Sequence, residues 1–304
     1  MHVFVTGATG FIGSAVVQDL LAHGHTVVGL ARSDQSAAAL DRIGVGVVRG
    51  TIEDLDVLRA AATGADGVIH TAYIHDFSPT ADPLAFAEID ENAINAFGDA
   101  LAGTGKPLVV AAGLPAGAAG ETATEQTKAP DNPPYPRFTE KTAVALADRG
   151  VRVSVVRMPP SVHGEGDPNF VLMAIGIARA KGFSAYVGEG ANVWSAVHRL
   201  DAARLFRIAL DQAPAGTLLN AVGDEGVPFR DVAAAIAGHL DVPVKSISAD
   251  EAGAHFGMPF AIFAQLNAPA SGKLTQERFG WEPTEPGLIA DIGLGHYFTA
   301  TTAH

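Results

Sequence analysis

Short apolar runs alternate with amphipathic stretches through the first half of the chain. The apolar runs are rich in β-branched residues and predict strands at residues 2–6, 26–31, 45–48, 67–70, 107–111 and 151–157. Between the fourth and fifth runs, Phe86, Ile89, Ala93 and Phe97 lie near one face at about 100° per residue, which is typical of an amphipathic helix. Strands that alternate with helices in this way predict a doubly wound α/β fold, a parallel sheet with helices on both faces.

The pattern loosens after residue 157. A loop rich in Pro and Gly at 158–168 leads to a predicted helix at 170–181 and then to an irregular stretch that ends at residue 198. A helix after Asp201 and a strand at 217–222 predict a return to the sheet, and small helices are expected from residue 227 onward. We therefore predict one domain at 1–158, completed around 196–225, and a smaller C-terminal lobe built from 159–195 and 226–304.

A glycine-rich turn follows the first predicted strand directly and leads into a helix at 14–23. Its first glycine permits a sharp turn, the second lets the backbone approach a diphosphate, and the third lets the helix pack on the strand. The helix N-terminus favours an anion. The alternative is a turn that only joins strand to helix. Its place after the first strand predicts a Rossmann domain that binds a dinucleotide through Thr6, Gly7, Thr9, Gly10, Phe11, Ile12 and Gly13.

The end of the second predicted strand indicates which dinucleotide binds. An acidic residue there would bond the adenosine ribose of NAD, but Arg32 and Ser33 stand at this place. A guanidinium and a hydroxyl suit the 2′-phosphate of NADP. The alternatives are that Arg32 is a solvated loop residue and that Asp34 reaches a ribose. We predict NADP(H) as the cofactor.

Composition and charge narrow the expected partners. The 20 basic and 33 acidic residues give a net charge of 20 − 33 = −13, which repels nucleic acid and anionic membrane surfaces. The apolar runs are too short to cross a bilayer, and the first residues contain no signal-like stretch, so the cytoplasm is the expected location. Cysteine is absent, and the 11 histidines lack metal-ligand spacing, so neither a disulfide nor a metal site is expected.

The string from Val5 to Gly13 resembles the opening of extended short-chain dehydrogenases, the NAD-dependent epimerase/dehydratase family. Residues 68–72, 157–164 and 196–203 resemble, in order, that family's fourth strand, its loop after the sixth strand and its Val-His-x-x-Asp-x-Ala segment. The resemblance implies a small-molecule substrate and a homodimer formed through paired helices of the sheet domain. It also implies further cofactor contacts at Thr51, Ile52, Thr71, Ala72, Met158, Pro159 and Ser161.

The family's catalytic pattern is altered in this chain. The family uses a Tyr, a Lys four residues later on the same helix face, and a Ser or Thr from the fifth strand. Here the fifth strand ends in residues 111–114, which have no hydroxyl, and Tyr135 precedes Lys141 by six residues. That spacing separates the two side chains by about 120° on a helix.

The position of Pro136 keeps catalytic candidates in this region. Pro136 suits the first turn of a helix and leaves Tyr135 outside it, free to aim its ring at the cofactor. We therefore take Tyr135, Lys141 and Thr139 as catalytic candidates. One alternative is that Tyr135 packs a loop and Lys141 is solvated. Another is that Thr139-Glu140 aligns with the family's Ser-Lys, which would put a carboxylate where the lysine belongs.

Further proton donors follow the fourth strand, at the carboxyl edge where open α/β proteins bind ligands. Tyr73 and His75 lie two residues apart and face the same way in an extended chain. The alternative is a packed aromatic beside a loop histidine bonded to Asp76. We expect a substrate pocket lined by Tyr73, His75, Met158, His163, Phe170, Trp194, His198 and Phe260.

These features together predict an NADP(H)-dependent oxidoreductase that reduces the carbonyl, or the imine, of a small molecule by hydride transfer. An apolar lining fits a largely apolar substrate better than a nucleotide sugar. The alternatives are an epimerase or dehydratase that retains its cofactor, and a non-catalytic NADP(H) sensor that binds a partner protein.

Overall fold

The predicted apolar runs pair into one parallel sheet. The computed structural model describes residues 1–76, 78, 80–117, 121–131, 133 and 135–299. The strands are β1 (His2–Thr6), β2 (Thr26–Ala31), β3 (Gly46–Arg49), β4 (Gly67–His70), β5 (Pro107–Gly113), β6 (Arg152–Met158), β7 (Ser161–His163), β8 (Ser184–Val187), β9 (Val193–His198), β10 (Thr217–Asn220), β11 (Asp224–Pro228) and β12 (Val244–Ile247). The 7-stranded main sheet has the order β10-β6-β5-β4-β1-β2-β3, with neighbouring strands parallel. This order confirms the predicted doubly wound fold.

Helices connect the strands and cover both faces of the sheet. They are α1 (Phe11–Ala22), α2 (Asp34–Asp41), α3 (Leu55–Gly64), α4 (Pro83–Leu101), α5 (Thr139–Ala145), α6 (Phe170–Lys181), α7 (Arg199–Gln212), α8 (Phe229–Leu240), α9 (Ala249–Phe256), α10 (Phe260–Phe263), α11 (Lys273–Phe279), α12 (Leu288–Gly293) and α13 (His296–Thr299), with a 3-10 turn at Leu146–Arg149. Within the described ranges, we find no helix with the length and apolar character that a bilayer crossing requires.

Burial of the sheet on both faces explains the unbroken apolar character of its central strands. Val3 and Val5 of β1 face a core that includes α1 and α7, whereas Phe4 faces a core that includes α3 and α4. This alternation is the strand period of two, and both sets are fully buried. Strands buried on both faces need apolar residues at every position, which is why the runs stand out in the sequence.

Helices α1 and α7 lie side by side on one face of the sheet and run in the same direction. The Nε atom of Arg207 lies 2.7 Å from Oδ2 of Asp19. Eight residues earlier on each helix, the Arg199 guanidinium lies over the Phe11 ring, 5.2 Å from its centroid. The N-terminal ends of the two helices are therefore adjacent.

The smaller lobe contains a sheet in the order β11-β9-β7 and a parallel pair of β12 and β8. The prediction of an irregular stretch before residue 198 was wrong, because β8 and β9 lie there. The prediction that only small helices follow residue 227 was also incomplete, since β12 lies in that region. These strands are short and pair with partners distant in the chain, so local periodicity does not reveal them.

Candidate active site

The glycine turn between β1 and α1 is packed tightly against the end of β4. Gly7 has a φ of +70°, and a Cβ at this position would lie 2.7 Å from Thr71 Oγ1 and 2.8 Å from Ala72 N. A Cβ on Gly13 would collide with the carbonyl oxygen of Gly7. Only glycine allows this close approach. Gly10 is exposed on the outer side of the turn.

The first amides of α1 lie at this turn. Helix α1 begins at Phe11 without a side-chain cap, so the N–H groups of its first turn need an acceptor from outside the helix. A diphosphate supplies such oxygens, and the helix dipole favours its negative charge. Thr9 is exposed beside the turn. The residues present therefore fit the diphosphate of a dinucleotide.

Thr6 has a different role from the predicted one. Its side chain is fully buried, and its Oγ1 atom lies 2.7 Å from Nδ1 of His70. The hydroxyl therefore makes its hydrogen bond in the interior of the fold, because Thr6 still belongs to β1 and its side chain follows the strand alternation. This corrects the expectation that the Thr6 hydroxyl binds the cofactor.

Two arginines lie at the carboxyl ends of β2 and β3. Arg32 is exposed at the end of β2. The neighbouring strand ends in Arg49, which donates to Asp34 Oδ1 and to the Ser33 carbonyl oxygen, both at 2.6 Å. The Ser33 hydroxyl accepts the Ser36 N–H at 3.1 Å and so caps α2. Arg49 was not among the predicted contacts, although the parallel alignment of β2 and β3 brings it opposite Ala31.

The remaining predicted cofactor contacts lie along the same edge. Thr51 donates from its N and Oγ1 atoms to Asp54 Oδ2, at 2.7 and 3.1 Å, and Ile52 is buried beside it. Thr71 donates from Oγ1 to the Thr6 carbonyl oxygen at 2.8 Å. The others are Ala72 after β4, Met158 at the end of β6, Pro159 directly after it, and Ser161 at the start of β7.

A buried hydrogen-bonded chain begins at Thr6 and leads to α5. His70 Nε2 lies 3.1 Å from Asp90 Oδ1, and the Thr139 hydroxyl donates to Asp90 Oδ2 at 2.5 Å. Every member of this chain is almost fully buried. Thr139 is therefore oriented towards the sheet interior, where it fixes the start of α5. Its other contact is with Arg137, whose Nε lies 3.3 Å from the Thr139 Oγ1 atom.

Arg137 connects this chain to an aromatic cluster at the carboxyl edge of β4. Its guanidinium lies over the Tyr73 ring, 4.2 Å from the centroid, and donates to the Ala111 carbonyl oxygen at 3.3 Å. The His75 ring packs edge-on against Tyr73 with a centroid separation of 5.1 Å. The Tyr135 phenol interacts with that of Tyr73. The structure thus brings together a cation and two phenols from segments about sixty residues apart in sequence.

Burial raises the pKa of Tyr73 to about 12, although the charge of Arg137 acts to lower it. The Tyr73 hydroxyl is buried and has no partner of standard hydrogen-bond geometry among the described residues. Its phenol is therefore protonated at neutral pH. Tyr135 is 39 % exposed and lies outside α5 as expected, but Pro136 also lies outside the helix, because α5 begins at Thr139.

Lys141 does not join this cluster. Its side chain is 70 % exposed, and its ammonium lies 3.5 Å from Asp131. The preceding residue, Glu140, turns inward and pairs with the fully buried Arg157. Of the three catalytic candidates, Tyr135 therefore lies beside Tyr73, Thr139 is buried against Asp90, and Lys141 lies at the surface.

The predicted histidines of the C-terminal lobe surround one buried carboxylate. His163 Nδ1 lies 3.0 Å from Asp291 Oδ2, and His198 Nε2 lies 4.0 Å from Asp291 Oδ1. The Tyr297 hydroxyl donates to Asp291 at 3.1 Å. Burial acts to raise the pKa of Asp291, but the hydrogen bonds and positive charge around it outweigh burial, so the pKa is lowered. This cluster fixes α12 and α13 against β7 and β9.

Three predicted pocket residues pack into the core of the C-terminal lobe. Trp194 is fully buried, and its indole N–H donates to the Phe263 carbonyl oxygen at 2.9 Å. Phe260 is also buried, and the half-buried Phe170 packs against the Phe263 ring with centroids 4.1 Å apart. We assign Trp194 and Phe260 to this core and not to the surface of the cleft. The described residues contain no group of three or more His, Cys, Asp or Glu side chains that could hold a metal ion.

Comparison with protein families gives a match that covers most of the main sheet. The model described as the NAD dependent epimerase/dehydratase family matches residues 3–221. The chain belongs to this family. Epimerase/dehydratase proteins and their solved relatives bind a nicotinamide dinucleotide, in agreement with the fit of the glycine cradle. The chain is thus an oxidoreductase-type member of the family.

Three individual similarities add detail to this assignment. An uncharacterised protein of Schizosaccharomyces pombe is 46% identical over 302 residues, 98% of this chain and 100% of that protein. The Stigmatella aurantiaca enzyme named 4-hydroxy-2-methyl-3-oxo-4-farnesyl-3,4-dihydroquinoline-1-oxide ketoreductase is 24% identical over 282 residues, 89% of this chain and 84% of that enzyme. The UDP-glucose 4-epimerase of Thermus thermophilus, solved with NAD, has a TM-score of 0.76 at 24% identity and covers 99% of this chain and 100% of that chain. The last similarity concerns the fold.

Proposed function

We propose that this protein is an NADP(H)-dependent reductase acting on a carbonyl, or an imine, of a largely apolar small molecule. The observation that carries the proposal is the half-buried Tyr73, whose protonated hydroxyl is buried, beneath the Arg137 guanidinium at the carboxyl edge of β4. A reductase needs a proton donor for the substrate oxygen and a charge that stabilises the donor after it has lost its proton. Tyr73 and Arg137 supply the two functions that Tyr and Lys supply in the family pattern.

When bound at the glycine cradle, NADPH supplies a hydride to the carbonyl carbon. Tyr73 donates its proton to the carbonyl oxygen, which becomes a hydroxyl. The guanidinium of Arg137, over the ring face, stabilises the phenolate that remains. Tyr135, next to Tyr73 and 39 % exposed, offers a route by which a solvent proton returns. Tyr135 is also the second candidate for the donor itself.

The choice of NADP(H) is supported by the charges at the ends of β2 and β3. Arg32 is exposed without an ion-pair partner among the described residues, while Arg49 neutralises Asp34, the carboxylate that would compete for a ribose. A 2′-phosphate would therefore meet a free guanidinium beside an acid that is already paired. The ketoreductase similarity supports the carbonyl substrate, and half-buried Ile74, Leu114 and Met158 near these strand ends favour an apolar one.

Hydride transfer can be tested with NADPH that carries deuterium at the transferable position. The purified protein is incubated with a panel of apolar ketones and imines, and each product is analysed by mass spectrometry. We expect deuterium on the former carbonyl or imine carbon, together with loss of NADPH absorbance. Absence of turnover with every substrate, while NADPH binds, would defeat the proposal.

The two alternative functions predict different results in the same preparation. A cofactor-retaining epimerase or dehydratase would copurify with nucleotide and interconvert its substrate without net NADPH consumption. A sensor would bind NADPH without any turnover and would release a partner protein when the cofactor is oxidised.

A further inference from the structure

Arg199 occupies an electrostatically unfavourable place for a cation. It is the first residue of α7, and it lies over Phe11, the first residue of α1. Because the two helices are parallel and their N-termini adjacent, the positive ends of both dipoles meet at the Arg199 guanidinium. A cation at such a place is repelled unless an anion lies close to it.

No carboxylate of the described residues lies within ion-pair distance of Arg199, whose guanidinium contacts the Phe11 ring. The same pair of helices provides an internal comparison. Eight residues further along each helix, Arg207 lies 2.7 Å from Asp19. At the N-terminal ends of the helices, Phe11 takes the place that Asp19 has beside Arg207. The charge of Arg199 is therefore available to bind a ligand.

The loop at residues 164–166 keeps the Arg199 side chain in this position. A Cβ on Gly164 would lie 3.3 Å from Arg199 Cγ, and one on Gly166 would lie 4.0 Å from its Nη1 atom. The side chain is half-buried between this loop and Phe11. Glu165, between the two glycines, is exposed and is not within ion-pair distance.

We propose that Arg199 binds the diphosphate of the dinucleotide held by the glycine turn, from the side opposite to the strand. The amides at the start of α1 and the Arg199 guanidinium would then contact the same two phosphates. The diphosphate supplies the anion that Arg199 lacks, since Asp201 in the first turn of α7 pairs with Arg204. This inference rests on dinucleotide binding at the cradle and does not depend on the reductase chemistry.

The test compares three ligands that carry different phosphates. NADP+ has both the diphosphate and the 2′-phosphate, ADP-ribose has only the diphosphate, and adenosine 2′-monophosphate has only the 2′-phosphate. Their dissociation constants are measured by calorimetry for the wild-type protein, Arg199→Met and Arg199→Lys. Arg42→Met is the control, because Arg42 is exposed directly after α2 and its Nε donates to the Ala38 carbonyl oxygen.

We expect Arg199→Met to weaken the binding of NADP+ and ADP-ribose by roughly tenfold to a hundredfold, as for loss of a charge-assisted hydrogen bond. The affinity for adenosine 2′-monophosphate should stay unchanged. Arg199→Lys should recover part of the loss, and Arg42→Met should change none of the three constants. Circular dichroism and a thermal melt establish that each variant is folded.

The outcomes separate this inference from the proposed function. Unchanged affinity of Arg199→Met for NADP+ and ADP-ribose would overturn the role of Arg199 while dinucleotide binding and the reductase proposal remain. An equal loss for all three ligands would also overturn it, since it would indicate a general change in the fold. Failure of the wild-type protein to bind any dinucleotide would end both proposals.

Discussion

Arg157 and Glu140 form a bidentate ion pair, with Nε–Oε2 and Nη2–Oε1 distances of 2.7 Å. Arg157 is fully buried, and its other N–H groups donate to the carbonyl oxygens of Thr124, Glu125 and Thr127. The guanidinium therefore joins β6, α5 and the loop between β5 and α5. Glu140 is also where one alignment with the family places its lysine, so the pair explains why a carboxylate is found there.

Replacing Glu140 with Lys should destabilise the protein by about 3–5 kcal/mol, because a second cation would face a buried guanidinium that has lost its partner. The free energy of unfolding is measured by urea denaturation. Lys141→Met is the matched control on the adjacent, solvent-exposed residue, and it should change stability by no more than about 0.5 kcal/mol. If Glu140→Lys were as stable as the wild type, the pair would not hold α5 to β6.

Tyr73→Phe should lower kcat for reduction by about 10²–10⁴-fold, the range expected when a general acid is removed, with little change in NADPH affinity. Tyr135→Phe should have a smaller effect if that phenol only returns the proton. Tyr186→Phe in the C-terminal lobe serves as a control for loss of a phenol elsewhere. A larger effect of Tyr135→Phe than of Tyr73→Phe would reassign the donor to Tyr135.

Removing the charge of Arg137 should raise the pKa of Tyr73 above its value of about 12, because the guanidinium acts to lower it. The Tyr73 phenol should stay protonated through the range in which exposed phenols ionise, both in the wild type and in Arg137→Met. Ultraviolet difference titration against Tyr73→Phe gives the ionisation of this residue. Ionisation of Tyr73 near the ordinary phenol pKa would contradict its burial.

Arg32→Met should weaken the binding of NADPH by about tenfold or more and leave the affinity for NADH unchanged, since only NADPH carries the 2′-phosphate. Arg49→Met should also weaken the binding of NADPH, because the Asp34 carboxylate would then be left unpaired beside the 2′-phosphate. Calorimetric titration with both cofactors provides the measurement. Equal effects on NADPH and NADH would show that neither arginine selects the cofactor.

Asp167 makes stability depend on pH. Burial raises its pKa to about 6 from 3.8, so between these values the folded state binds the proton more tightly than the unfolded state. The contribution of Asp167 to the free energy of unfolding therefore decreases as pH rises through this window. Asp167→Asn keeps an oxygen for the Asn169 N–H, which lies 2.8 Å away.

We expect Asp167→Asn to be more stable than the wild type by about 1–3 kcal/mol above this window, with the difference shrinking as the pH falls towards the ordinary carboxyl pKa. Urea denaturation of both proteins at a series of pH values gives this difference directly. A stability difference independent of pH would show that Asp167 keeps its ordinary pKa.

The sheet and its cradle were predictable because local chemistry determines them. Strands buried on both faces must be apolar at every position, and the contacts of Gly7 and Gly13 leave no room for a Cβ. These requirements act on neighbouring residues, so they appear as a pattern in the sequence. The weaker pattern of β8 and β9 was missed, because those strands are specified by their partners and not by their own periodicity.

The cluster of Tyr73, Tyr135 and Arg137 was only partly predictable. Tyr73 and Tyr135 were both candidates, but nothing in the sequence joins them to Arg137, whose contact with Tyr73 spans 64 residues of chain. A position four residues before or after Tyr135 was the natural place to look for a cation. The observed cation is two residues away and reaches the ring of a different tyrosine, which only tertiary packing brings close.

The parallel packing of α1 and α7 has a consequence for assembly. Residues 199–212 are made long after the glycine turn, yet they cover the apolar face of α1 that includes Val16 and Leu20. A nascent chain that ends before α7 therefore has an open cradle with one bare helix flank. The proposed dinucleotide site is complete only after α7 has docked, because Arg199, its proposed diphosphate ligand, is the first residue of α7.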